Sequence, residues 1–174
     1  MPLTPSAAAP LLRHSEIAQR IPHQGSMCLL DSVTAWDTQQ IRCEASSHRA
    51  PGNPLRAHGR LGAACGIEYA AQAMAVHGAL IAEASAGAGD AQNGPQVGYL
   101  ASVRSVVLHA DRLDDLGTNL LIRAERMSGD DSTILYSFTV HGGPALLLSG
   151  RAVVVLNAAK LALPGRANLP SGLL

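Results

Sequence analysis

Between positions 61 and 81 the chain reads LGAACGIEYAAQAMAVHGALI, proline-free and dominated by Ala, Leu, Ile, Met and Val. Such a stretch is predicted to be a helix, and a helix apolar on nearly every side must be buried. It cannot lie on the surface of anything, so the rest of the chain has to surround it. The 174 residues, 47% of them apolar, suffice for one ordinary globular domain with a real core.

The flanking segments carry a different period. Residues 27–47 read as short strands, with Ile41, Cys43 and Ala45 alternating against Gln40, Arg42 and Glu44 around a turn at Asp37-Thr38. After the helix come four strand candidates at 97–109, 119–127, 133–141 and 145–157, separated in part by SGDDS and HGGP turns. These four are expected to form an antiparallel meander. The stretch 46–60 holds two prolines, two glycines and Asn53, and is read as loop; 83–96 is small, polar and Gly-rich, and is expected to be a mobile connection. Residues 1–20 read as an N-terminal arm, with SEIAQRI forming one or two helical turns capped by Ser15, and 158–174 as a loose C-terminal tail. The domain proper is expected to span 21–157. Two strands, one buried helix and four strands give an α+β layout whose antiparallel sheet must wrap the long central helix, which is the hotdog architecture. Such folds usually pair two protomers.

Charge and cysteine usage exclude several classes. Thirteen basic residues balance thirteen acidic ones, so nucleic acid is not the expected partner. Only 15% of residues are charged, which predicts an oligomer. Cys28, Cys43 and Cys65 are odd in number and form no CxxC pair, arguing against a disulfide framework or a zinc knuckle and for a cytoplasmic setting. The first twelve residues lack a signal-peptide pattern, and no run reaches the length of a membrane span. GxSxG, Walker, HExxH and GxGxxG motifs are absent, so serine-triad, nucleotide and zinc-protease chemistry lose support.

Glu68 stands out because an unpaired carboxylate inside an apolar helix would cost several kcal/mol. Gln72, four residues on, shares its helical face. A carboxyl group so placed suits a general acid, or else it is hydrogen-bonded to a loop or a dimer partner. Gly62, Ala63 and Ala64 are predicted to form the first helical turn, where free backbone N–H groups could polarise a thioester carbonyl. His48 and His58 flank the loop before the helix, so either could reach Glu68 as a base. The role of His77 is expected to be structural, and His14, His23, His109 and His141 have no evident partner.

Several segments resemble one family. IPHQGSMCLLDSV (21–33) is similar to the opening of 3-hydroxyacyl-acyl carrier protein dehydratases, GIEYAAQAMA (66–75) resembles their central-helix Glu-x-x-x-Gln motif, GYLASVR (98–104) the following strand, and DDLGTNL (114–120) a later Gly-Asp-x-Leu turn. The Gly-Ile-Glu-Tyr-x-Ala-Gln helix start resembles the branch associated with bacterial aryl-polyene or xanthomonadin-type pigments. The resemblance implies a hotdog dehydratase in which Glu68 and a histidine move protons between C2 and C3 of an acyl chain. It implies no metal or organic cofactor, and an acyl carrier protein or coenzyme A thioester as substrate.

One position departs from the pattern. The family's histidine opens a His-Phe-Pro-Gly-Asn-Pro loop 14 positions before the acid, where this chain has Pro54. HRAPGNP imitates that loop but starts at His48, 20 positions before Glu68, and His58 lies 10 before it. A loop insertion could restore His48, His58 could substitute, or the role could be missing. The readings are therefore a β-hydroxyacyl-thioester dehydratase, a weakly active or non-catalytic acyl-binding subunit that dimerises with an active hotdog dehydratase, and a hotdog thioesterase.

Overall fold

The computed structural model describes residues 9–86, 98–130 and 132–156. The expected C-terminal tail, most of the expected 83–96 connection and the first eight residues of the arm lie outside them. The chain begins with a short strand, β1 (Leu12–Arg13), and one helical turn, α1 (His14–Ala18). Arg13, not Ser15, occupies the N-cap, and its N–H donates to Glu16 Oε2 at 2.8 Å. This described part of the arm is tied to the domain: Leu12 pairs with Val33, and Ile17 and Ile21 are buried.

Strands β2 (Ser32–Trp36) and β3 (Gln40–Ala45) form the expected hairpin. Asp37 Oδ1 accepts from the N–H groups of Gln39 and Gln40 and so fixes the turn. Ile41, Cys43 and Ala45 face inward, as the alternation predicts. The long helix α2 spans Gly66–Ser85. It is followed by β4 (Gly98–Leu108), β5 (Leu120–Gly129), β6 (Thr133–Gly142) and β7 (Ala145–Leu156). Ile134, Tyr136, Phe138 and Val140 of β6 point at the helix. Among the described residues, no helix is long and apolar enough to cross a membrane.

Two expectations need correction. First, the last four strands are not one meander. The sheet order is β1-β2-β3-β5-β6-β7-β4, so β5, β6 and β7 meander while β4 crosses to the far edge and pairs with β7. β5 instead joins β3, which closes the sheet around α2. Strand periodicity cannot report partner order, because alternation tells which face of a strand is buried and not which strand lies beside it.

Second, α2 starts at Gly66, not at 61. Residues 61–63 run antiparallel to 111–113: Leu113 N–H donates to Leu61 O at 2.8 Å and Ala63 N–H to Asp111 O at 3.1 Å. A single 3₁₀ turn, Ala63–Cys65, then leads into the helix. At Gly66 the helix lies so close to β7 that a Cβ would collide with the Leu148 side chain.

Two histidines are sealed in this core. His77 Nε2–H donates to the Asp37 carbonyl at 2.7 Å, so Nδ1 of the neutral ring accepts from the Tyr136 hydroxyl at 2.9 Å. Burial pushes the His77 pKa down, with the Asp37 backbone and carboxylate partly opposing it. His48 is also held low, by burial first and then by the Arg49 charge, against smaller opposing contributions from the Leu116 and Thr118 backbone and Asp31. Because both folded values lie below the unfolded one, the unfolded chain binds more protons as pH drops beneath about 6.5. Stability is therefore full above that pH and declines below it, by at most about 1.4 kcal/mol per pH unit per histidine. Urea midpoints measured from pH 8 to pH 5 should fall on the acid side; a flat profile would show that these rings are not held neutral.

Candidate active site

Two side chains on one helical face organise the site. Glu68 and Gln72 sit one turn apart on α2, and Gln72 is fully buried. Its Oε1 accepts from Leu29 N–H at 2.8 Å, while its amide nitrogen donates to Met27 O at 2.7 Å and to Glu68 Oε1 at 3.0 Å. These bonds assign the amide orientation, since a backbone N–H can only donate and a carbonyl only accept. They also pin the segment carrying Met27 and Leu29 against the helix, which brings His23 to Glu68. His23 Nε2 lies 3.0 Å from Glu68 Oε1.

The remaining ring nitrogen, His23 Nδ1, is shielded from solvent and has no hydrogen-bond partner among the described residues. A proton there would be a buried donor without an acceptor, so the proton of the neutral ring belongs on Nε2, facing the carboxylate. Glu68 Oε1 thus accepts a hydrogen bond from Gln72 and lies 3.0 Å from His23 Nε2, and Oε2 is engaged by none of the described residues. Glu68 is not sealed in the core: its side chain keeps 29% exposure and that of His23 27%. Both line a cavity of about 240 Å³ together with Pro22, Ala71, Ala75, Gly98, Tyr99, Leu100 and Val154. A carboxylate held beside an imidazole at the border of a mainly apolar cavity can exchange protons with a substrate that has a polar head and an apolar tail.

The residues expected from the sequence are distributed differently. His48 lies in a 3₁₀ turn, Ser47–Arg49, fully buried, and neither ring nitrogen has a hydrogen-bond partner of good geometry among the described residues. A polar chain holds that turn shut: Asn53 Nδ2 donates to Ser47 O and to the Tyr69 hydroxyl oxygen, and the Ser47 hydroxyl donates to Leu29 O. Tyr69 O–H is then left to donate to Ser47 Oγ at 2.9 Å. His58 is exposed at the tip of a tight turn between Ala57 and Arg60, with positive φ at His58 (50°) and Gly59 (74°), the backbone of a type I′ turn. Neither histidine is among the hydrogen-bonding partners of Glu68; that place is taken by His23.

Gly62, Ala63 and Ala64 precede α2 and none of them lines the cavity; the Ala63 N–H is already spent on Asp111. The amide group of Gln72 is likewise engaged by protein partners at both its nitrogen and its oxygen, so it does not hold substrate directly. Asp114 contributes to fixing the 46–62 loop. Its carboxylate accepts from Arg56 Nη1 at 2.9 Å, Arg112 Nη2 at 2.7 Å and Leu61 N–H at 3.1 Å, and the Arg112 guanidinium above all holds its pKa far below the usual carboxylate range.

His23 is hard to find in the sequence because 45 positions separate it from Glu68 and only the Gln72 bonds bring it there. The available signal was its place beside Pro22 in the segment that opens the family resemblance.

Known proteins share this arrangement of sheet and helix. Residues 15–162 match the model of a family described as ApeP-like, ApeP dehydratase. Among solved structures, the chain is similar to the dehydratase heterocomplex ApeI:P from Xenorhabdus doucetiae, with a TM-score of 0.70, 19% identity, and coverage of 83% of this chain and 93% of that one. It also resembles a candidate thioesterase from a Silicibacter species, with a TM-score of 0.55, 11% identity, and coverage of 86% and 95%. At these identities the structural likenesses establish the hotdog fold. No curated protein sequence matches.

Proposed function

Because the chain belongs to the ApeP-like family of dehydratases, the branch that its central-helix motif resembles, we propose that His23 and Glu68 carry out the elimination of water from a 3-hydroxyacyl thioester. The observation that carries this reading is the 3.0 Å contact between His23 Nε2 and Glu68 Oε1 at the wall of a mainly apolar cavity. Dehydration needs a base for the C2 proton and an acid for the departing C3 hydroxyl. Both roles fall to Glu68 through the unengaged Oε2, while His23 Nε2–H faces Oε1 and holds the carboxylate ionised and in place. The C2–H bond breaks toward Glu68 Oε2, the C2–C3 double bond forms, and the C3–O bond breaks as the hydroxyl takes that proton and leaves as water. Because the proton taken from C2 departs in the water, the pair ends in its starting state. Gln72 is a positioning residue that holds both groups.

The substrate is read as an acyl carrier protein or coenzyme A thioester, and the setting as cytoplasmic, consistent with three free cysteines of which Cys28 and Cys43 are buried. A pairing partner is part of the proposal. β4 is an edge strand, bonded only to β7 among the described strands, and exposes Tyr99, Leu100, Val107 and Leu108. An apolar, unpaired edge of this length invites another strand. The ApeI:P heterocomplex, itself a dehydratase assembly, supports a second hotdog protein as the occupant. The thioesterase reading has weaker support, since the family match is to dehydratases.

The test is direct. Incubating the purified chain, alone and with a candidate hotdog dehydratase partner, with 3-hydroxyacyl carrier protein should give a product lighter by one water in intact-mass spectra. Release of free carrier-protein thiol without loss of water would replace this reading with the thioesterase one. Activity only in the partner's presence, and insensitive to changes at Glu68, would assign the chain a non-catalytic role.

A further inference from the structure

Resting on the dehydratase reading of the cavity beside Glu68, we propose that Ala71 and Ala75 are the specificity-determining residues that limit the length and branching of the acyl tail. Glu68, Ala71 and Ala75 lie at i, i+3 and i+7 on α2, so they share one face. They are only half buried, whereas their neighbours Ala70, Ala73, Met74 and Val76 are buried in the core. All three line the same cavity, with the His23–Glu68 pair as its polar end.

From Glu68 to Ala75 the helix rises about 10 Å, at about 1.5 Å per residue. The cavity volume of about 240 Å³ corresponds to roughly eight water-sized groups. A thioester head at Glu68 therefore sends its tail toward Ala75 along a wall that offers it methyl groups and no charge. The facing wall is close-packed at one point. Gly98 lies so near β7 that a Cβ there would come within 2.9 Å of Val154 Cγ1, and Val154 itself lines the cavity. Where the strand side is close-packed, the width left for a tail is set by the side chains at 71 and 75, both as small as a chiral residue can be. Larger residues there would block long or branched tails first, because a short tail ends before it reaches Ala75.

The experiment compares the chain with Ala71→Val, Ala75→Val and Ala75→Leu variants, each checked for folding by circular dichroism. Two series are read: kcat/KM for 3-hydroxyacyl pantetheine thioesters of four to ten carbons, and Kd by calorimetry for unreactive acyl pantetheine amides of the same lengths. In Ala75→Leu the ratio of short-chain to long-chain kcat/KM should rise about tenfold or more, chiefly through KM, the discrimination expected from one or two methylene groups in an apolar site. The amide Kd ratio should move the same way. Ala75→Val should show a smaller shift of the same sign, so the outcome does not hang on the leucine variant folding. Parallel weakening at every length, or unchanged ratios in the folded variants, would overturn the inference. If no thioester loses water but the amide ratio shifts as expected, the dehydratase reading fails while the tail-binding role of Ala71 and Ala75 stands.

Discussion

Glu68→Gln is expected to lower dehydration turnover by about 10²-fold or more while leaving the fold intact, the usual scale for losing a general acid or base. The amide keeps an oxygen where Gln72 Nε2 and His23 Nε2 now meet Oε1, so both 3.0 Å contacts can persist and only the oxygen that takes up and returns the proton is lost. His23→Asn should fall by a similar factor, and the double variant by little more than either, because the two groups act as one unit. His48→Asn supplies the contrast. It disturbs a fully buried side chain and should lower stability by about 1–3 kcal/mol, yet turnover by the protein that remains folded should change less than about threefold. Steady-state rates normalised to the folded fraction decide the matter. Equal losses for His48→Asn and Glu68→Gln, with His23→Asn active, would restore the loop histidine as the base.

Gln72→Leu is expected to damage both stability and activity. Leucine has a similar bulk but leaves the Leu29 N–H and Met27 carbonyl without the partners they now have at 2.8 and 2.7 Å. Each buried group left unsatisfied costs about 1–3 kcal/mol, so a loss of about 2–5 kcal/mol is expected in denaturant titrations. Turnover should fall together with it, about tenfold or more in the folded fraction, because the segment that carries His23 is no longer clamped to the helix that carries Glu68. A variant with reduced stability and full activity would show that Gln72 serves the fold alone.

The difference between the two histidines shows what kind of information was hidden. His48 carried the more persuasive local string, PGNP three residues on, and that string has a structural role, since Asn53 ties the turn shut and buries the ring. His23 had only a neighbouring proline to recommend it. Local sequence describes how a segment bends, but the meeting of His23 with Glu68 depends on two backbone groups of another segment bonding to Gln72.

By itself the sequence determined the elements that rest on periodicity and on the cost of burial. The apolar run required a buried helix, alternation placed Ile41, Cys43 and Ala45 facing it, and Glu68 with Gln72 marked a polar place on its surface. These follow from near-neighbour spacing, which a chain cannot hide. Tertiary structure alone decided that β4 leaves the meander for the far edge, that residues 61–63 pair with 111–113 instead of beginning the helix, and which histidine faces the acid. Each of these depends on contacts between residues tens of positions apart, where several partners satisfy the same hydrophobic pattern and only the packed chain, with its buried hydrogen bonds satisfied, selects one.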